Sequence, residues 1–311
     1  MHDVNCYLCA SSKKSLLFLQ AGHDPYLDQV SSDLHAVERG WYICDACGFV
    51  FRSPALSSDE IAQLYANYEQ HIFRTTTPDA YFDRIISIPD ADSENTAKTL
   101  WLQETLQQQK EQQGGRSTEN FPRTILDVGC GGGTLLHTIG NHFPQAALYG
   151  VELNTPYAEL AARRVQATVL NTEYKSGLFD KRFDLILFTK VLEHIPEPLT
   201  ILREMAQDLS DDGLLFVEVP DISDLYSLPP DHGRFQIPHI HYYSENTLTT
   251  LLNRAGMDVV ISRSIYKIAS QKRSYLQILA KTSKNRIDIE NLTSNEIVSL
   301  RKRIQTHMMG S

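Results

Sequence analysis

Two cysteine pairs, Cys6-x-x-Cys9 and Cys44-x-x-Cys47, stand first among the residues of this chain that could do chemistry. A C-x-x-C turn directs both sulfurs at one ion, and two such turns supply the four thiolates of a tetrahedral zinc site. Gly48 follows the second pair and frees the backbone to wrap around the metal. With every position taken by sulfur, the ion serves structure. It can contribute on the order of 10 kcal/mol to folding a segment too small for a core of its own. Redox pairing is the rival reading, but neither pair has a thioredoxin-like strand-to-helix context. Cys130, the fifth cysteine, reads as a small buried apolar residue.

A second constellation is Asp127-Val128-Gly129-Cys130-Gly131-Gly132-Gly133, where a strand runs into glycines that open a helix. Glycine suits that place because the backbone turns sharply and lets a ligand touch the main chain. The next strand ends at Glu152, about twenty residues on, where a carboxylate can accept both hydroxyls of a ribose. The G-x-G-x-x-G fingerprint of dinucleotide binders fails at its sixth position, Thr134, and the pattern met is G-x-G-x-G. A third constellation is Pro238-His239-Ile240-His241-Tyr242-Tyr243-Ser244. Its imidazoles and phenols can bind an acceptor and take a proton, His239 first and His241 second; the alternative is that the stretch only fixes its loop. Zinc binding by this histidine pair lacks a third ligand nearby in sequence.

These groups must be held by regular elements. From Phe121 onward strands alternate with helices: TILDVGC, LYGVEL, ATVLN, RFDLILF and GLLFVEVP read as strands, the fourth apolar throughout as a strand buried on both faces should be. Helices are expected from Leu135 to Asn141, from Thr155-Pro156 onward, from Pro198 to Leu209, and between Ser244 and Gly256, with a turn at Asp211-Asp212-Gly213. DVVISRSIYKI and RSYLQILAKT, joined by a short polar turn, should pair antiparallel at the sheet edge. The pattern predicts an α/β class, with a doubly wound, mostly parallel sheet covered on both faces. Before it, Ser57 or Ser58 could cap an acidic helix running to Tyr68. Residues Ser93 to Gln113 predict a helix packing on the catalytic domain, with a flexible joint from Gly114 to about Asn120. The expected organisation is a cysteine-bearing module with exit helix over 1–75, a linker and helix over 76–120, a strand-and-helix domain over 121–283 and a polar tail or helix over 284–311.

Composition narrows the partners. A net charge of −9 repels phosphate backbones, and no basic patch overrides it. Up to residue 60, Lys13, Lys14, Arg39 and Arg52 are outweighed by Asp3, Asp24, Asp28, Asp33, Glu38, Asp45, Asp59 and Glu60. No apolar run approaches a membrane span and no secretory pattern opens the chain, so a cytoplasmic location is expected, with a small-molecule acceptor rather than a nucleic acid. An exposed cysteine module and linker helix could mediate a homodimer.

In order, D-V-G-C-G-G-G, G-V-E-L, F-D-L-I with V-L-E-H-I, and L-S-D-D-G-L-L-F-V-E-V-P resemble the motif series of the class I S-adenosylmethionine-dependent methyltransferases over residues 124–220. The resemblance implies a Rossmann-like seven-stranded sheet and S-adenosylmethionine as cofactor. It places Gly129, Gly131 and Gly133 along the methionine and ribose, Asp127 on the loop or the cofactor amine, and Glu152 on the ribose hydroxyls. Leu153 would lie against the adenine, with Asn171 and Thr172 at its edge. Asn171 departs from the acidic residue often found there, though an amide oxygen can still accept from the adenine amino group. His194 is then a loop-positioning residue. C-D-A-C-G-F-V-F-R-S-P with the acidic helix after it resembles the zinc-ribbon module ahead of methyltransferase domains in a bacterial group that includes deoxysugar C-methyltransferases. That group's Tyr-His-Glu-His stretch is matched here by Gln236, Ile237, Pro238 and His239, only the last a histidine it shares. O-methylation is therefore expected ahead of C-methylation of a deoxysugar. A non-catalytic cofactor-binding regulator and an RNA methyltransferase guided by the ribbon are the remaining alternatives.

Overall fold

The computed structural model describes residues 2–20, 23–66, 76–112, 121–267, 273–283 and 294–309. In chain order the strands are β1 (Lys14–Leu19), β2 (Gly40–Cys44), β3 (Val50–Ser53), β4 (Thr124–Val128), β5 (Ala147–Val151), β6 (Ala167–Leu170), β7 (Phe183–Thr189), β8 (Leu209–Pro220), β9 (His241–Tyr242), β10 (Met257–Lys267) and β11 (Arg273–Thr282). The helices are α1 (Ser58–Ala66), α2 (Pro78–Ile86), α3 (Glu94–Gln112), α4 (Thr134–His142), α5 (Thr155–Arg164), α6 (Pro198–Asp208), α7 (Glu245–Arg254) and α8 (Ser294–Met309). The expected joint at 114–120, the polar turn after β10 and Tyr68 lie outside the described residues.

Seven strands form a mixed sheet in the order β10-β11-β8-β7-β4-β5-β6, the Rossmann-like α/β arrangement that the strand and helix alternation predicts. β10 and β11 pair antiparallel from Met257↔Thr282 to Lys267↔Arg273, as expected of two strands joined by a short turn. The Asp211-Asp212-Gly213 stretch is not a separate turn but lies inside β8, which begins at Leu209. A Cβ at Gly213 would stand 2.6 Å from the Phe183 carbonyl, so glycine there permits a close backbone approach.

The chain divides into two compact units, one of residues 1–71, 189–206 and 216–311, the other of residues 72–188 and 207–215. In the second, β4 pairs in parallel with β5 and with β7, and β5 with β6. β7 is buried from Phe183 through Phe188, which suits its apolar stretch Leu185–Phe188, while the buried Asp184 accepts from the Arg123 amide at 2.8 Å and the Ser210 hydroxyl at 2.9 Å. Asn154 caps α5 by accepting from the Tyr157 amide, with proline in the first turn. α2 has no counterpart in the sequence reading. Thr77 caps it, and Asp79 pairs with Arg163 at 2.7 Å and Arg164 at 3.0 Å on α5. The helix expected near 93–113 is α3; its Gln103 amide donates to the His142 carbonyl of α4 at 2.9 Å.

In the first unit a four-stranded sheet runs β1-β2-β3-β9. β9 is the unexpected member: Val50 pairs with Tyr242 and Phe51 with His241, antiparallel. Ser57 and Glu60 form a reciprocal cap on α1, the serine hydroxyl accepting from the Glu60 amide and the carboxylate from the Ser57 amide. α8 gives the polar tail a role in packing: Ile297 and Ile304 are buried in one cluster with Leu17, Phe18, Trp41 and Phe235. Arg301 donates to the Ser15 hydroxyl and Gln305 to the Leu16 carbonyl, both at 2.8 Å. Among the described residues no helix is long and apolar enough to cross a membrane.

Candidate functional site

The four cysteines converge. Their sulfurs all lie within 4.8 Å of one another, with Cys6 to Cys47 at 3.6 Å and Cys9 to Cys44 at 3.5 Å. Sulfurs bound to one tetrahedral zinc at about 2.3 Å would stand roughly 3.8 Å apart, so the donor set fits that ion. Each pair sits on the same kind of turn. The Ala10 amide returns to the Cys6 carbonyl at 2.8 Å and the Gly48 amide to the Cys44 carbonyl at 2.9 Å. Both residues after the pairs are left-handed, Ala10 at φ 62° and Gly48 at φ 73°. Glycine adopts that conformation freely, whereas alanine gives up roughly 1 to 2 kcal/mol. Hydrogen bonding to the Cys44 sulfur pushes the Cys6 and Cys47 thiols up, while their donation pulls Cys44 down.

In the second unit, the ends of β4 and β5 bring the glycine loop and Glu152 together. Glu152 accepts from the Gly131 amide at 2.9 Å and from the Asn154 amide at 2.8 Å, so each carboxylate oxygen holds one backbone group and keeps lone pairs for another donor. Gly129, Gly131 and Gly133 all have positive φ, at 75°, 53° and 83°. Their roles differ. The Gly129 amide is bound to the Val151 carbonyl at 2.8 Å. A Cβ on Gly131 would meet nothing within 4 Å, leaving open space beside the main chain, whereas one on Gly133 would press on Val165 at 2.9 Å and Ala161 at 3.1 Å. Gly133 is thus required by packing against α5 as well as by its φ.

Asp127 is buried, and its Oδ1 has no hydrogen-bond partner among the described residues. Burial pushes its carboxyl up to about 7, with Lys98 opposing the shift and Glu152 adding to it. An orphaned acceptor of this kind is costly unless a donor arrives, and a ligand ammonium would supply one. Leu153 presents an apolar surface, 55% exposed. Asn171 donates to the Glu152 and Leu153 carbonyls at 2.9 Å and accepts from the Thr155 hydroxyl at 2.7 Å, tying β6 to the turn after β5; half-buried Thr172 follows it.

In the first unit, the two histidines of the third constellation have different surroundings. His241, on β9, is buried; its Nδ1 lies 3.2 Å from the Tyr243 hydroxyl and its ring is edge-on to Tyr7 at 4.5 Å. Burial pulls it down to about 3. His239 stands against His194, ring centres 4.9 Å apart, and its Nδ1 is buried with no hydrogen-bond partner among the described residues. Burial, then the neighbouring His194, hold it well below the ordinary imidazole range. The structure adds a residue the sequence reading passed over. Glu193 is 1% exposed, its Oε2 is unpartnered among the described residues, and burial pushes it up to about 8. Nearby, a cavity of about 580 Å³ is lined by Tyr7, Arg52, His194, Glu197, Ile237 and Ile240 among others, a volume typical of small-molecule sites.

A family model described as a methyltransferase domain matches residues 98–261 of the chain. Ubiquinone biosynthesis O-methyltransferase of Actinobacillus pleuropneumoniae serotype 5b is 30% identical over 107 residues, which is 31% of this chain and 45% of that protein. The protein of the same name from Coxiella burnetii is 31% identical over 98 residues, 30% of this chain and 41% of that one. The match thus spans less than half the length of these relatives. Among solved structures, the plantazolicin methyltransferase BpumL in complex with a pentazolic desmethylPZN analog and SAH is similar over 73% of this chain and all of that one, at 15% identity and a TM-score of 0.48. An S-adenosylmethionine-dependent methyltransferase from Clostridium acetobutylicum is similar over 62% of this chain and 94% of that one, at 11% identity and a TM-score of 0.46.

Proposed function

The chain belongs to the methyltransferase domain family, and from that premise we propose that it transfers a methyl group from S-adenosylmethionine to a hydroxyl of a small molecule, such as a sugar, lipid precursor or secondary metabolite. The observation that carries this reading is the loop between Asp127 and Glu152. A buried carboxyl without a partner, a glycine with open space at its Cβ position and a carboxylate with lone pairs to spare fit the amine, main-chain contact and ribose of that cofactor. The relatives named as O-methyltransferases favour oxygen as the acceptor atom.

Bound there, S-adenosylmethionine supplies a methyl on a cationic sulfur: the acceptor oxygen bonds to that carbon, the carbon–sulfur electron pair stays on sulfur as a neutral thioether, and the acceptor proton leaves. Asp127 holds the ammonium, Glu152 the ribose hydroxyls, Leu153 the adenine face, and Asn171 and Thr172 its edge. Gly129, Gly131 and Gly133 shape the loop. Holding an acceptor in line can supply roughly 7 to 11 kcal/mol of such a barrier, so positioning is the protein's main task. His239, whose Nδ1 is unpartnered, is the first candidate to receive the proton, with His241 second. Cys6, Cys9, Cys44 and Cys47 hold a structural zinc.

Calorimetry with S-adenosylmethionine tests the reading. Glu152→Ala and Gly131→Val should each abolish measurable binding; unchanged affinity in both would end it. A screen of cell extracts with methyl-labelled cofactor then identifies the acceptor.

A further inference from the structure

We propose that Glu193, His194 and His239 form a second metal site, which takes a divalent transition ion such as Zn2+, Co2+, Mn2+ or Fe2+ through two imidazoles and one carboxylate. One ligand atom from each lies within 4.8 Å of the others. His194 Nε2 is 3.9 Å from Glu193 Oε1. Ligands around one such ion, each about 2.0 to 2.2 Å from it, stand roughly 3 to 4 Å apart, and the His194–Glu193 separation falls in that range.

The lone pairs are already set. His194 Nδ1 lies 2.6 Å from the Pro238 carbonyl, which can only accept. Nδ1 therefore carries the proton, and the neutral ring leaves Nε2 as a free donor on the Glu193 side. A backbone carbonyl fixing one nitrogen while the other binds metal is the usual support of a ligating histidine. Glu193 Oε2 and His239 Nδ1 are both buried without a hydrogen-bond partner among the described residues. Buried polar atoms left without partners are costly, and one cation could satisfy both. Of the neighbouring cations, Arg234 pairs with Asp224 through Nη1 at 2.6 Å and Lys190 lies 3.9 Å from Glu218; both favour the Glu193 anion through their charge, and no hydrogen bond from either to Glu193 Oε2 is formed.

The backbone holds the ligands in place. The Ile240 amide donates to the Glu193 carbonyl at 2.9 Å, joining the Leu192–His194 turn to the loop that carries His239. Two nitrogens and one oxygen suit borderline transition ions better than Mg2+ or Ca2+. Three protein ligands leave coordination positions open for a further donor, and His239 is then a ligand rather than a base. The binding of metal does not rest on the methyl-transfer reading.

Titration of the full chain with Co2+, after dialysis against a weak chelator, separates the two sites by colour. A thiolate site gives an intense near-ultraviolet charge-transfer band, whereas the Glu193 site gives weak visible bands alone. Wild type should take up an equivalent with visible bands and no added charge transfer. The near-isosteric Glu193→Gln, and His239→Asn, should each weaken that uptake by about tenfold or more, with thermal melts recorded alongside to confirm folding. No such uptake by wild type, or uptake unchanged in both variants, overturns the site and leaves Glu193 as a protonated partner of the imidazoles. Calorimetry with S-adenosylmethionine on the same samples keeps the readings apart: cofactor binding without cobalt uptake removes the metal site only, and cobalt uptake without cofactor binding removes the methyl-transfer reading only.

Discussion

Arg52 donates through its Nε to the carbonyl of His239 at 3.1 Å, joining residues 187 positions apart in the chain. The same guanidinium bonds to the Phe235 and Gln236 carbonyls and the Gln20 side chain, and lies 4.9 Å from the centre of the Trp41 ring. The fork geometry of arginine can serve several acceptors that an ammonium cannot. Burial pulls this group down to about 9, still high enough to stay charged at neutral pH.

Arg52→Met should therefore leave several buried carbonyls without donors and cost about 3 kcal/mol or more of stability. Arg52→Lys should restore little of it, because one ammonium cannot span the same acceptors. Urea unfolding of the three proteins checks both; equal midpoints would show that the carbonyls find other donors.

Cofactor affinity should depend on pH through Asp127. Burial raises its carboxyl to about 7, so it is neutral below that value and an anion above it. A ligand ammonium favours the anion, hence affinity should fall as pH drops through about 7. Asp127→Asn should bind more weakly at pH 8 and show a flatter profile from pH 6 to 8, read by calorimetry in buffers of equal ionic strength.

Metal analysis should find zinc bound by the cysteine cluster and lost in Cys6→Ser. Strong chelation should loosen the β1-β2-β3 segment, since the ion's binding energy would be folding energy there. Limited proteolysis with and without chelator is the check: new cleavage within the first 66 residues is expected, and an unchanged pattern would mean the sheet holds without the ion.

Ile304→Ala should cost about 2 to 5 kcal/mol, because the side chain is wholly buried beside Trp41. Loss of the α8 contact should also redden the emission of Trp41, with Trp101→Phe as the background that isolates it. Emission and melting temperature unchanged by the substitution would detach α8 from this core.

The elements that carry the glycine loop were legible because each signal was local. The apolar stretch Leu185–Phe188 of β7, the glycines after β4 and the proline opening α5 each announce a conformation within a few residues. The four cysteines were legible for a similar reason, since spacing alone places two sulfurs on one turn. β9 was not, because a two-residue strand has no periodicity and its partner, β3, is remote in sequence. Glu193 was hidden too: an acid beside a histidine in L-E-H-I looks like a solvated pair, and only the fold shows it 1% exposed. The tail helix reads as polar, yet among its described side chains Ile297 and Ile304 are buried.

The pairing of Val50 and Phe51 with Tyr242 and His241 has a consequence for inheritance. The imidazole-bearing loop takes its shape from a segment translated long before it, so replacing the opening portion of the chain with that of a relative would also reset the geometry around those rings. A change of backbone at Val50 or Phe51 therefore reaches Tyr242 and His241 directly through the shared strand pairing.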